Sequence, residues 1–145
     1  MTDNDQKTLS LLGLALRANR LSPGEEPTVI ACRSGKARLV LLAKDAGDHT
    51  VRRVRAMCRE GKPPYLITPF SRAELGGALG MNACALLAIL DAAFAYSAAG
   101  QLDAGQTHPE ILAQLAQQTE RERVRRQEQK AHRRNVRQGK KPGGT

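Results

Sequence analysis

Two stretches of the chain are apolar almost without interruption: LVLLA at 39–43 and ALLAILD at 85–91. Apolar runs this short predict strands covered on both faces, because a strand with one wet face alternates apolar and polar positions. Around them the spacing becomes helical. Leu9, Leu12 and Leu16 recur at helical intervals over residues 3–18, where Asp3 or Asn4 can cap. A second helix is expected over 25–34, since Pro27 tolerates only the first turn, where its missing N–H costs little. Val29, Ala31 and Cys32 supply its inner side, and Gly35 is suited to a left-handed cap. A third helix at 49–60, capped by Asp48, sets Val51, Val54 and Cys58 against Arg52, Arg53, Arg55 and Arg59. Ser71 and Glu74 form a capping box ahead of Leu75, Ala78 and Leu79, and Gly80 ends that fourth helix. Short strands near Leu21 and over 65–68, and a small-residue helix over 92–100, complete the pattern.

The resulting order, βαβαβαβ, predicts an α/β fold: a three-layer α/β/α sandwich with a small mixed four-stranded sheet. Its core is expected to end near Gly100, giving one folded domain over 1–100. Residues 101–109 read as a linker. A capping signature at Thr107–Glu110 then opens a helix with Ile111, Leu112 and Leu115 on one side. Past Ala116 the apolar stripe vanishes, and an i,i+4 pair between Glu122 and Arg126 adds only a few tenths of a kcal/mol. The segment 101–145 therefore reads as a linker and a basic helical extension awaiting a partner, with 139–145 disordered.

Composition narrows the function. At 145 residues with 3% aromatics and no tryptophan, the chain has room for one aliphatic core. The formal charge is +9; residues 1–100 carry 13 Lys/Arg against 9 Asp/Glu, and residues 101–145 carry 10 against 5. Both parts are basic, which points to a polyanion: RNA or DNA ahead of an anionic membrane surface. No run approaches the roughly 18 apolar residues of a membrane span. Cys32, Cys58 and Cys84 fit neither a CxxC nor a zinc pattern. Their odd number and the lack of a secretory signal suit reduced core thiols in a cytoplasmic protein. With no P-loop and no GxGxxG, no cofactor is expected. Asp45, Asp48 and His49 read as a helix cap beside an exposed histidine rather than as catalytic groups, so no enzymatic activity is expected.

The stretch Leu21–Asp45, LSPGEEPTVIACRSGKARLVLLAKD, organises the rest. A loop opening a helix gathers free N–H groups and partial positive charge at one surface spot. Within GEEPTVIACRSGKARLVLLAKDAGDHT, with LLGLALRANRL before it and RAELGGALG after it, the chain resembles the bacterial YlxQ family. That family is part of the superfamily of kink-turn RNA-binding ribosomal proteins. The resemblance runs over roughly residues 8–93 and implies an α/β/α sandwich that binds structured RNA along one edge.

The superfamily's reading signature is a glycine, then an Asn-Glu pair and a Lys one turn on. Those positions are here Gly24, Glu26, Pro27 and Ile30. A carboxylate at the Asn position only accepts hydrogen bonds, so Glu25 or Glu26 could accept from guanine N–H groups, while Ile30 removes a charge that would face phosphate. The second implied contact is the loop before the last strand, Met81-Asn82-Ala83-Cys84, where Met81 can cover an extruded base and Asn82 can hydrogen-bond it. Lys36, Arg38 and Lys44 are expected to flank the same edge. Arg121, Arg125, Arg126, Lys130, Arg133, Arg134 and Arg137 are expected to add phosphate contacts that do not read sequence. The resulting expectation is a non-catalytic RNA-binding protein whose partner is structured RNA, ribosomal in kind, and with it the ribosome. The competing readings are a protein-interaction adaptor and an accessory domain presenting RNA to a separate modifying enzyme.

Overall fold

Leucine and valine without polar interruption can be stable as strands only if both faces are covered, and the two apolar runs are indeed the central strands of a four-stranded sheet. The computed structural model describes residues 2–102 and 104–137. In chain order the elements are α1 (Asp3–Arg17), β1 (Leu21–Pro23), α2 (Glu25–Arg33), β2 (Leu39–Leu42), α3 (Asp48–Met57), β3 (Tyr65–Ile67), α4 (Arg72–Leu79), β4 (Leu86–Ile89), α5 (Ala92–Gln101), α6 (Ala104–Thr107) and α7 (Pro109–Arg137). The sheet order is β1-β4-β2-β3. β4 is antiparallel to both neighbours, with Leu39 opposite Ile89 and Pro23 opposite Leu87, whereas β2 and β3 are parallel.

Every residue of β2 and β4 is buried. Leu39, Leu41, Leu87 and Ile89 face a cluster with α1, α4, α5 and the start of α7; Val40, Leu42, Leu86 and Ala88 face α2 and α3. This is the expected three-layer α/β/α sandwich with a mixed sheet. Burying each of the leucine, isoleucine and valine side chains among these contributes roughly 1.5–3 kcal/mol, so the two strands anchor the fold. Four alanines of α5 (Ala92, Ala95, Ala98 and Ala99) are fully buried and let it pack closely against α1 and α7. Cys58 and Cys84 are buried and Cys32 is half-buried. Burial, with a smaller effect of Cys32, pushes the Cys58 thiol up to about 12.

Three local expectations change. The cap of α1 is Thr2, whose hydroxyl accepts from the Asp5 N–H at 3.0 Å while Asp5 reaches back, so Asp3 and Asn4 lie inside the helix. Asn4 instead donates to the Gln101 carbonyl, tying α1 to the end of α5. The cap of α3 is Gly47, with Asp48 in the first turn, where a carboxylate still favours the helix dipole. That helix stops at Met57 because Cys58 leaves helical geometry and a 3-10 turn, Arg59–Gly61, follows. The Ser71–Glu74 capping box and the left-handed Gly80 are present as the sequence predicts.

The largest difference is α7. The core does not end near Gly100: Ile111 and Leu115 belong to the same buried cluster as α1 and α5. Nor does the helix lose its hold after Ala116. Glu122 accepts from the Arg38 guanidinium at 2.9 Å and from the Ala92 N–H at 3.1 Å, and Arg126 lies 3.7 Å from Asp91. These contacts replace the expected Glu122–Arg126 pair. The first amide of α5 is an orphan donor, and a carboxylate placed there gains more than from an exposed pair along its own helix. The disorder expected over 139–145 lies outside the described residues.

Candidate nucleic-acid interface

β1, β2 and β3 run the same way, and each feeds a helix, so α2, α3 and α4 all open at one end of the sheet. Gly24 is the N-cap of α2 at φ +97, a conformation that glycine adopts without the Cβ penalty. Its amide donates to the Leu86 carbonyl at 2.9 Å, and its backbone also lies against the Cys84 thiol. Burial raises the Cys84 pKa, against a smaller lowering from the Gly24 contact. The glycine turn and the Met81–Cys84 loop, 57 residues apart at their nearest, thus sit side by side.

That loop is held from α4. The Cys84 N–H donates to the Arg72 carbonyl at 2.9 Å, and the Met81 N–H donates to the Gly76 carbonyl at 2.8 Å. A Cβ on Gly76 would lie 2.8 Å from backbone atoms of Met81 and Ala83, so the close approach requires glycine there. The Gly76-Gly77 pair inside a helical pattern was the available sequence signal. Lys44 joins this end: it leaves β2 beside Ala85, to which Ala43 is bonded, and its side chain is exposed. Asp45 accepts from the Arg72 N–H at 2.8 Å and pairs with its guanidinium at 3.6 Å. The backbone hydrogen bond from Arg72 is the main reason its carboxyl sits below the ordinary range.

The two glutamates differ. Glu25 is half-buried and bonded to Arg53 of α3 at 2.7 Å; Glu26 is 79% exposed and lies 3.9 Å from the same guanidinium. Arg53, on the arginine side of the third helix, therefore offsets part of the acidic charge at the start of α2. Pro27 is exposed, as are Ile30 (63%) and Met81 (39%), and Asn82 and Ala83 are exposed beside Met81.

The expected grouping of Lys36 and Arg38 with Lys44 does not hold. The four residues of β2 separate them, so Lys36 and Arg38 lie at the opposite end of the sheet, where the Arg38 N–H pairs with the Ile89 carbonyl. Arg38 is also occupied, bonding Glu122 and the Gly35 carbonyl. Arg121 and Arg126 of α7 lie at that opposite end too, Arg121 beside Arg38 and Arg126 beside Asp91. Arg121, Arg125, Arg126, Lys130, Arg133 and Arg134 are exposed along α7. Arg137 closes the helix, and its side chain falls outside the described residues.

Three helix openings and a close-packed loop at one sheet end define an α/β sandwich with a loop-built edge. The profile of the ribosomal protein L7Ae/L30e/S12e/Gadd45 family matches residues 6–98, and the chain belongs to that family. It is similar to the RNA-binding protein YlxQ of Bacillus subtilis (strain 168), 39% identical over 93 residues that cover 64% of this chain and 92% of that one. Among solved structures, a protein of unknown function from Bacillus halodurans C superposes with a TM-score of 0.62 at 38% identity, covering 67% of this chain and 97% of that one. The Giardia lamblia 15.5kD RNA binding protein shares the fold, with a TM-score of 0.57 at 21% identity, over 71% of this chain and 88% of that one. The chain is thus a bacterial YlxQ-type member of that family.

Proposed function

We propose that the chain binds structured RNA, ribosomal in kind and within the cytoplasm, through the end of the sheet where α2, α3 and α4 open, and performs no chemistry on it. The observation that carries this reading is the Gly24 turn opening α2 directly against the Met81–Cys84 loop. Membership of the family and the RNA-binding relative support it. Glu26, exposed and only loosely paired with Arg53, is the acceptor for base N–H groups, and Met81 and Ile30 offer apolar cover to an unstacked base, a mode suited to RNA bulges and loops. Lys44 is an exposed cation at this end that can meet phosphate. The exposed cations of α7 add affinity without reading sequence, with Arg126 contributing less than the unpaired ones because it faces Asp91.

The test is Ile30→Lys, titrated by fluorescence anisotropy against an rRNA fragment containing a kink-turn. One added phosphate contact, roughly 1 kcal/mol at most for an exposed pair, should tighten binding about fivefold at low salt. It should also steepen the slope of log K against log salt by about one. Equal affinity of the unaltered chain for the kink-turn and for an unstructured RNA of the same length would sink the reading.

A further inference from the structure

At the end of the sheet opposite Gly24, α7 crosses the turn ahead of β2 and leaves a cleft of about 460 Å³. That is within roughly 300–1,000 Å³, the size of small-ligand sites. Its walls include Arg38, Lys62, Gln114, Gln117, Gln118 and Arg121. Two properties set it apart. Gln118 Oε1 is buried with no hydrogen-bond partner, which is otherwise rare for a buried polar atom and leaves an acceptor waiting for a donor. Lys62 and Arg121 are exposed and, among the described residues, carry no ion pair, while the neighbouring Glu122 is consumed by Arg38 and the Ala92 N–H.

We propose that this cleft is a second RNA subsite that takes one unpaired nucleotide of a strand. The base edge meets the glutamine amides and the phosphate meets Lys62 and Arg121. Every RNA base offers at least one N–H on its Watson–Crick edge, which Gln118 Oε1 accepts once the amide turns from the wall into the cleft, and Gln114, one helical turn away on α7, presents a further amide on the same face. Cations beside amides are the combination that holds phosphate and base together; an apolar small molecule has no use for either. The cleft requires α7, which lies beyond the residues matching the family, so it belongs to this chain's own extension. The inference rests on the RNA-binding reading but concerns a different surface.

The experiment uses the full chain, labelled hexauridylate and a fully abasic ribose-phosphate hexamer of equal charge, titrated by anisotropy at low salt. The unaltered chain should bind hexauridylate at least about fivefold more tightly than the abasic strand, because only hexauridylate adds the base N–H for Gln118, while the ribose hydroxyls are common to both strands. Gln118→Leu should erase that difference while keeping the abasic affinity, and Lys62→Gln and Arg121→Gln should each weaken both strands alike. Gln118→Leu should leave kink-turn affinity within about twofold, because that surface is at the other end of the sheet. No preference for bases in the unaltered chain, or a preference surviving Gln118→Leu with its thermal melt intact, overturns the cleft. If hexauridylate is ignored while the kink-turn still binds, the cleft alone fails; if neither binds, both readings fail.

Discussion

The two ends of the sheet are built by different means. Where α2, α3 and α4 open, the surface is mostly backbone: the Gly24 turn, the first amides of the helices and a loop laid against α4. Its side chains are partly neutralised in place, Glu25 by Arg53 and Asp45 by Arg72. At the opposite end the surface is made of side chains brought from distant parts of the chain, with Glu122 reaching back 84 residues to Arg38 and 30 to Ala92. The first end lies wholly within residues 6–98, which carry the family match, and the second exists only because α7 follows. In this chain the loop-built edge thus rests on glycines and hydrogen bonds inside the matched residues, while the opposite surface depends on one helix that follows them.

The largest expected effect falls on the loop-built end. Gly76→Ala puts a Cβ 2.8 Å from the backbone of Met81 and Ala83, and backbone cannot rotate away as a side chain can. Overpacking of this kind costs about 1–3 kcal/mol. The melting temperature should fall by several degrees, with the amide resonances of residues 81–84 moving most. Gly77→Ala, one residue on with open space around it, should instead stabilise by up to about 1 kcal/mol through helix propensity. Equal effects of the two substitutions would mean that the loop does not lie where α4 is said to hold it.

The side-chain end should give way more gently. Glu122 is largely buried (19% exposed side chain), and its two oxygens each hold a donor. Hydrogen bonds to charged groups are worth roughly 1.5–3 kcal/mol when sheltered, less where solvent reaches them. Glu122→Ala should therefore cost about 1–2 kcal/mol in denaturant titrations and raise hydrogen exchange along α7 beyond Leu115, leaving α2 and α4 protected. Exchange rising equally at both ends would show that α7 is not an independent attachment.

This asymmetry also explains which features could be read from the residues alone. LVLL and LLAI announced buried strands, Ser71 and Glu74 a cap, and Gly24 and Gly80 the turns, because each signal lies within a few residues of its effect. The partners of Glu122 did not follow from sequence: the nearer partner, Arg126, sits one turn along the same helix, and only the packing of α7 across the sheet brings Arg38 and the Ala92 amide closer. Lys36, Arg38 and Lys44 looked like one basic cluster because β2 is short in sequence, although a strand of four residues spans roughly 13 Å and carries its two ends to opposite surfaces. Arg53 looked solvated for the same reason, since its partner Glu25 is 28 positions away.

The smallest effect tests whether acid acts on the loop-built end. Asp45 is held below its ordinary pKa chiefly by the Arg72 N–H, and Glu74 is held below its own by the Ser71 N–H, both at the start of α4. A carboxyl whose folded pKa is depressed contributes fully above its unfolded value, near pH 4, and loses that contribution as the pH falls through the folded value. Asp45→Asn keeps an oxygen that can accept from Arg72 but removes the charge. The variant should therefore melt slightly below the unaltered chain at pH 7, and the gap should close between about pH 4 and pH 2. Because the Cys84 N–H bonds the Arg72 carbonyl, the same acidification should speed exchange at Cys84 in the unaltered chain more than in Asp45→Asn. A melting difference that stays constant from pH 7 to pH 2 would mean that the Asp45 charge does not help to hold α4 and its loop in place.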